Sequence, residues 1–225
     1  LSLERKEKLN VKPVKPTKTT LSRSYILQVA LELLDQEDLQ KFTMRKLGQE
    51  MSVSPMAVYR YFPNQEALFD GLVEMLWQRV LVLDQDAANA TWQDQVTGLM
   101  SRLRQTLLAH PNILPLISTR PLSTHSEFAL VEKILTIWTT KGLAIQPTTV
   151  FLINSLTAYT LGFVWTEAVN PQSMSELEPN LLSAAHPQSD LLNQFMQPIR
   201  EQQFTSDEQF LMGIQALLAG WKKEN

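Results

Sequence analysis

Thr43-Met44-Arg45-Lys46-Leu47-Gly48-Gln49-Glu50-Met51-Ser52-Val53-Ser54-Pro55-Met56-Ala57-Val58-Tyr59-Arg60-Tyr61-Phe62 divides into two short helices joined by a tight turn. Thr43 offers the side-chain oxygen of an N-cap. Met44, Leu47 and Met51 then recur at helical spacing. Met51-Ser52-Val53 holds the turn. Ser54 is a second N-cap, and Pro55 falls in a first turn, where its missing N–H is harmless. Val58 and Phe62 face inward by spacing, leaving Tyr59 and Tyr61 on other faces. Pro63-Asn64 ends this helix and opens another, with Asn64 as cap and Glu66 in the dipole-favoured first turn. Upstream, Leu21 to Leu34 carries Ile26, Val29, Ala30, Leu33 and Leu34 on one face, and the acidic run from Asp35 to Asp38 ends it.

This is helix-turn-helix spacing, which suits a helix laid in the major groove of DNA. A third helix of only about six residues cannot stand alone in water and needs bracing by its neighbours. Its outer face carries Pro55, Met56, Ala57, Tyr59 and Arg60, with Arg45 and Lys46 at the start of the second helix. Arginine suits paired guanine acceptors, tyrosine hydroxyls suit phosphates, and small apolar groups suit thymine methyls. Spacing alone leaves a second reading open, a plain packing corner. There Tyr59 and Tyr61 cover the core with wet hydroxyls, Arg60 is a solvated charge and Thr43 only caps.

The stretch Ile26 to Leu72 resembles the DNA-binding domain of the tetracycline-repressor (TetR) family of bacterial regulators. The resemblance rests on the apolar first helix, Thr43-Met44-Arg45-Lys46-Leu47, Val53-Ser54, Val58-Tyr59-Arg60-Tyr61-Phe62, Asn64 and Ala67-Leu68. It implies phosphate contacts from Thr43, Tyr59 and Tyr61, base-edge contacts from Arg45, Pro55, Met56 and Ala57, and Asn64 close to a phosphate. Lys46, Ser54, Arg60 and Gln65 complete the expected DNA-facing set. Two positions depart from the family pattern. Gln65 replaces the usual lysine, which weakens one phosphate contact. Ser52 replaces the usual turn glycine, at a cost of roughly 1 kcal/mol if that position needs positive φ.

The chain has 225 residues, 44% hydrophobic, with seven glycines. No alternating run of strand length stands out, so the expected fold is all-α. Three parts are expected: a flexible basic arm over 1–20, a helix-turn-helix domain over 21–68, and a larger helical effector-binding and dimerisation domain over 69–225. Net charge is −3 overall, but residues 1–20 carry +4 and residues 81–225 carry −5. A local basic face can meet DNA while the body stays acidic. The absence of cysteine excludes disulfides and thiolate metal sites and fits a reducing cytoplasm. The polar, basic start shows no secretory leader, and apolar runs fall short of the roughly 18 residues of a membrane span. A cytoplasmic protein without membrane contact is expected.

In the larger part, Asn64 to Asp86 reads as one long helix, and Thr91 opens another that runs to Ala109. Pro111 and Pro115 interrupt the chain. Thr124 and Glu127 form a capping box for a helix that stops at Gly142. Pro147 opens a helix apolar nearly all round, and Ser206 caps a last helix bearing Phe210, Leu211, Ile214, Leu217, Leu218 and Trp221. A helix apolar on every face is buried on both sides. The helices over 147–169 and 206–222 are therefore expected to pair with their copies in a four-helix homodimer interface. Asn170 to Gln188 reads as a loop. A two-fold dimer suits a palindromic operator with half-sites about 34 Å apart or a multiple of that.

The resemblance continues through Ser118-Thr119-Arg120-Pro121 and Thr160-Leu161-Gly162-Phe163-Val164, which implies an effector pocket among the central helices. The family's drug-and-magnesium chemistry does not carry over. Its magnesium-ligand histidine falls on Leu116, its drug-binding glutamine on Ile134 and its carboxylate near Thr166, one residue from Glu167. A hard cation needs oxygen or imidazole ligands. No metal or cofactor is expected, and the effector is expected to be apolar or aromatic. Leu103, Leu116, Phe128, Ile134, Trp138 and Phe163 are the candidate lining.

His110, His125 and His186 form no metal-binding spacing, and no phosphate loop or nucleophile elbow is present. The sequence therefore points away from an enzyme and toward a transcriptional regulator, a repressor released by a small molecule. The rival is a helical small-molecule sensor or protein-interaction module without significant DNA binding.

Overall fold

The computed structural model describes residues 21–82, 90–120, 125–169, 190–201 and 203–221. The ordered elements among them are all helical. α1 (Arg23–Gln36) is capped by Ser22, whose hydroxyl accepts from Tyr25 N at 3.2 Å. Its inward residues Ile26, Ala30, Leu31 and Leu34 are fully buried. A 3-10 turn (Leu39–Lys41) leads to α2 (Met44–Glu50), capped by Thr43, and then to α3 (Pro55–Tyr59), capped by Ser54. α4 (Gln65–Val80) starts at Asn64, whose side-chain oxygen accepts from Ala67 N at 2.8 Å. α4 does not reach Asp86 as expected. At Leu81 ψ swings to 33° and the helix ends at Val80. The apolar spacing that continues to Leu83 marks a sidedness, not a helical backbone. Residues 83–89 lie outside the described part.

α5 (Trp92–Ala109) begins with a reciprocal capping box between Thr91 and Asp94. Pro111 starts a 3-10 turn (Pro111–Ile113), and Pro115 sits in the first turn of α6 (Leu114–Thr119). Both prolines begin helical turns rather than merely interrupting the chain. α7 (His125–Thr140) is followed by Gly142 at φ 93°, a conformation glycine adopts without steric cost. The expected Thr124 cap lies outside the described residues. α8 (Thr149–Val169) starts two residues after Pro147, with Thr149 Oγ1 accepting from Gln146 N at 2.9 Å. The Asn170 to Gln188 loop and the basic arm over 1–20 also lie outside the described residues. α9 (Asp190–Arg200) was not expected from the sequence. α10 (Ser206–Gly220) is capped by Thr205, one residue before the anticipated Ser206, in a capping box with Glu208.

α8 packs on α5 and α10 through Leu152, Leu156, Thr160 and Val164, all buried. Thr149–Ala168 is long and apolar enough to span a membrane by length and hydropathy, contrary to the expectation from uninterrupted apolar runs. Here one side of it is built into the protein core. The three helices are locked by one charge cluster. Arg104 on α5 is 8% exposed and grips Glu167 of α8 with two hydrogen bonds of 2.7 Å. It also donates to Asp207 of α10 at 2.6 Å. Its guanidinium lies 5.0 Å from the Phe210 ring centroid and 5.5 Å from that of Phe163. Ser206, the first residue of α10, donates to Glu167 as well. Nearby, a Cβ on Gly213 would fall 2.1 Å from the Tyr159 hydroxyl, which donates to the α10 backbone. Glycine is what permits this helix crossing.

The hydrogen bonds from Arg104 hold the Glu167 carboxyl below its ordinary value of 4.5, against the opposing effect of burial. A carboxylate depressed on folding adds stability above its unfolded pKa and loses it as pH falls through the folded value. Thermal stability should therefore drop in acid below about pH 4.5. Glu167→Gln should cost about 2 kcal/mol at neutral pH, the scale of a charged hydrogen bond, and should flatten that acid limb in melts recorded from pH 7 to pH 3.

Candidate nucleic-acid interface and interior cavity

α3 has five residues, and its stability comes from behind. Val58 and Phe62 are fully buried. Arg23 of α1 stacks its guanidinium 4.2 Å from the Phe62 centroid and donates to Tyr61 O at 3.1 Å. The turn before α3 closes on Gly48, where Val53 N donates to Gly48 O at 2.9 Å. A Cβ at Gly48 would lie 3.1 Å from Val53 O and 3.3 Å from Pro55 N, so α2 and α3 approach at backbone contact. Ser52 adopts φ 55°, the left-handed conformation that glycine favours. The turn thus carries the strain expected of a serine there.

The face of α3 away from this bracing is open. Met56 is 71% exposed and Tyr59 41%. Thr43, Arg45, Ser54, Arg60 and Asn64 are also exposed, and Pro55, Ala57 and Gln65 are half-buried beside them. Arg45 and Arg60 have no ion-pair partner among the described residues. Thr43, Ser54 and Asn64 each spend a side-chain oxygen on capping, which still leaves the two hydroxyl protons free to donate. Two expected contacts are directed elsewhere. The Tyr61 hydroxyl donates to Leu21 O at 2.7 Å, so its one proton is not available to a phosphate. Lys46 is paired with Glu37 at 2.6 Å, tying α2 to the segment after α1.

A cavity of about 710 Å³ lies among α4, α5, α6, α7 and α8. Trp77, Met100, Ile134, Trp138 and Ile153 give it apolar walls, and its polar side chains include Arg120, Gln146, Thr149, Asn154 and Thr157. The indole N–H groups of Trp77 and Trp138 are buried without a partner among the described residues. Of the expected lining, Ile134 and Trp138 are in the wall. Leu103 and Leu116 are buried outside it, in the packed core. Phe128 is 55% exposed on α7. Phe163 joins Tyr159 and Phe210 in a ring cluster on the α8–α10 side, with centroids 5.4 to 5.7 Å apart. Helical spacing identified these as inward residues but not which inward gap stays open. Among the described residues, no three His, Asp, Glu or Cys stand close enough to hold a metal ion.

The cavity is joined to the α1–α4 unit. Arg120, in the cavity wall at the end of α6, forms ion pairs with Glu66 and Asp70 of α4. Burial works against its charge, but the hydrogen bonds it donates to these two carboxylates, with their negative charge, outweigh burial and raise its pKa. Asn112 donates to Leu34 O at 2.8 Å, and His110 Nδ1 lies 2.8 Å from Asp35, both at the end of α1. Sequence reading passed over Gly48 and Arg120 as site residues. Glycine in a helix that nothing else interrupts was the signal for the first. The second stood in a stretch noted only for its family likeness.

Residues 26–72 match the family described as "Bacterial regulatory proteins, tetR family". Residues 86–224 match "Tetracyclin repressor-like, C-terminal domain". The chain belongs to the tetR family. An HTH-type transcriptional regulator of Saccharopolyspora erythraea is 28% identical over 116 residues, covering 52% of this chain. The chain spans about half of that relative, 48% of its length. The class D tetracycline repressor protein of Escherichia coli is 24% identical over 204 residues, 90% of this chain and 89% of that one. Among solved structures, the tetR-family protein ActR of Streptomyces coelicolor in complex with actinorhodin superposes with a TM-score of 0.73. It is 20% identical and covers 90% of this chain and 95% of its own, a likeness of fold. The open face of α3 and the cavity thus sit on a tetR-family scaffold.

The α2–α3 crossing makes a stability prediction of opposite sign at two glycines. Gly48→Val forces a branched side chain against the Val53 carbonyl and should cost about 1–3 kcal/mol. At Gly98 of α5 an added Cβ meets nothing within 4 Å. Gly98→Ala should therefore stabilise, by up to about 1 kcal/mol from helix propensity. Urea midpoints at constant m-value decide both.

Proposed function

We propose that this protein is a dimeric transcriptional repressor that holds a palindromic operator through α2 and α3 and releases it when a small molecule fills the cavity. The observation that carries the reading is the open face of α3. A helix too short to persist alone is fixed from behind while Arg45, Met56, Tyr59 and Arg60 are left outward. In this reading residues 21–68 are the reading unit and residues 69–225 the sensing and pairing body. Arg45, Pro55, Met56 and Ala57 meet base edges, Thr43 and Tyr59 meet phosphates, and Tyr61 and Lys46 hold the unit together. The protein works where the DNA is, in the cytoplasm. ActR's complex with actinorhodin supports a small-molecule occupant for a protein of this fold.

Pairing is assigned to α8 and α10. Phe151, Ser155, Ala158, Gly162 and Trp165 form an outward stripe of small residues between two aromatics on α8, and Met212, Ala216 and Ala219 face outward on α10. Small residues in the middle of such a stripe allow two helices to approach closely. The long α4 runs from the reading unit to the cavity wall at Trp77. A ligand acts on DNA binding through it only by binding two head spacings with different affinity.

Selection of bound duplexes from random sequence should return a palindrome with half-sites about one helical turn apart or a multiple of that. Against the selected site, Arg45→Ala should weaken binding by roughly 5- to 150-fold, the range of a bidentate base contact. Tyr59→Phe should weaken it about fivefold, the scale of one hydrogen bond. Unchanged affinity in both variants at physiological salt would leave the sensor or interaction module as the reading. Trp165→Glu combined with Met212→Glu should bring the light-scattering mass from dimer to monomer.

A further inference from the structure

We propose that the cavity selects an anionic effector, an apolar fused-ring body bearing one carboxylate or phenolate, and that this anion takes Arg120 away from Glu66 and Asp70. The inference deepens the ligand-release reading and rests on it only for the consequence at the DNA.

Among the described residues that line the cavity, Arg120 is the only charged one. The rest of the wall is apolar apart from neutral hydroxyls and amides. On the cavity side a guanidinium in such surroundings favours an anion over a second cation, more strongly than in water because the effective dielectric is lower. Its fixed, planar fork of donors matches a carboxylate.

The present partners of Arg120 are weak competitors. Its side chain is 21% exposed, whereas Glu66 is 71% exposed and Asp70 54%. Carboxylates so exposed regain hydration when released, and ion pairs with exposed partners contribute little net stability. An anion delivered from inside the cavity meets the same guanidinium in a drier place. The exchange is therefore downhill for an anionic ligand, while a neutral ligand fills the same volume and leaves the ties in place.

The exchange has a mechanical consequence. Glu66 is in the first turn of α4, two residues beyond its Asn64 cap, and Phe62 of the reading unit lies just upstream. Asp70 is one turn further along. Arg120 thus fastens α6 to the end of α4 nearest the reading helix. Losing it frees that end, so tied and untied states bind the anion with different affinity, which is the thermodynamic condition for a switch.

The test uses the full-length protein without DNA, and two probes with one ring system: 2-anthracenecarboxylate and the neutral 2-anthracenecarboxamide. Calorimetric titration should show the carboxylate binding about tenfold tighter, a difference of roughly 1.4 kcal/mol. Arg120→Gln should bring that ratio to about one. Glu66→Gln combined with Asp70→Asn removes the competitors but keeps the cation, and should tighten carboxylate binding about threefold or more without changing the carboxamide. Equal affinities in the wild type, a ratio unmoved by Arg120→Gln, no tightening in the double variant, or no binding of either probe would each overturn the proposal. Should Arg120→Gln fail to fold, the double variant decides. Because no DNA enters the titration, failure to find an operator overturns the repressor reading and leaves this one standing.

Discussion

The molecule depends on the back of a helix. Five residues of α3 cannot hold a helical conformation in water, because one turn of helix fixes many dihedrals for very few hydrogen bonds. Val58 and Phe62 supply the apolar anchor, Arg23 closes over Phe62 from α1, and Tyr61 ties its hydroxyl to the chain just before α1. Gly48 lets α2 come to backbone contact with the segment that opens α3. Each of these makes the outer face more rigid without occupying it. The strain at Ser52 is tolerated for the same reason: neighbours on both sides of the turn leave it no other path.

The two interior arginines show how similar chemistry serves two ends. Arg104 is enclosed by α5, α8 and α10, gripped twice by Glu167 and once by Asp207, and covered by Phe163 and Phe210. Removing a partner there leaves a buried charge uncompensated, so that cluster specifies one arrangement of the three helices. Arg120 has partners of the same type, but they stand in solvent, and the guanidinium borders a cavity. What is architecture in the first case is exchangeable in the second. Burial of Glu167, 20% exposed, and of Arg104 itself makes the difference; Asp207 stands in solvent like the partners of Arg120.

Local chemistry made most of the fold legible in the sequence. Thr43, Ser54, Asn64 and Thr91 are caps where side-chain oxygens precede helical apolar spacing. Side-chain periodicity, in contrast, reports sidedness and not backbone continuity, which is why α4 stops at Val80 while its apolar pattern runs on. Thr205 and Ser206 are both competent caps by type; Thr205 takes the role in a reciprocal box with Glu208, and Ser206, inside the helix, donates to Glu167. The open face of α3 was readable because it is encoded within twenty residues of chain. The cavity was not, since its walls come from five helices. Leu103 and Phe163 satisfy the same periodic criterion as Ile134 and Trp138. Which inward residue meets a neighbour and which meets a gap is settled by tertiary packing alone.

α4 is where these two levels meet. Its first turn follows directly on the reading helix, its middle is packed at Gly71 against Phe62 and Leu27, and Trp77 near its end borders the cavity. An added Cβ at Gly71 would come within 3.0 Å of Phe62 and 3.1 Å of Leu27, so α4 has little room to slide on α1. A well-packed contact of this kind transmits displacement instead of absorbing it. With α4 and the reading unit moving as one piece, the freedom left is rotation of that piece against the body. Rotation is opposed by α4's own packing on α5, α6 and α7 and by ties at the margins: Arg120 to Glu66 and Asp70, Asn112 to the end of α1, and His110 beside Asp35. The ties are all polar and at least partly exposed, the class of contact that is lost at small energetic cost. The stiff apolar centre and the weak polar margin together make a joint, and the cavity opens onto one of its ties.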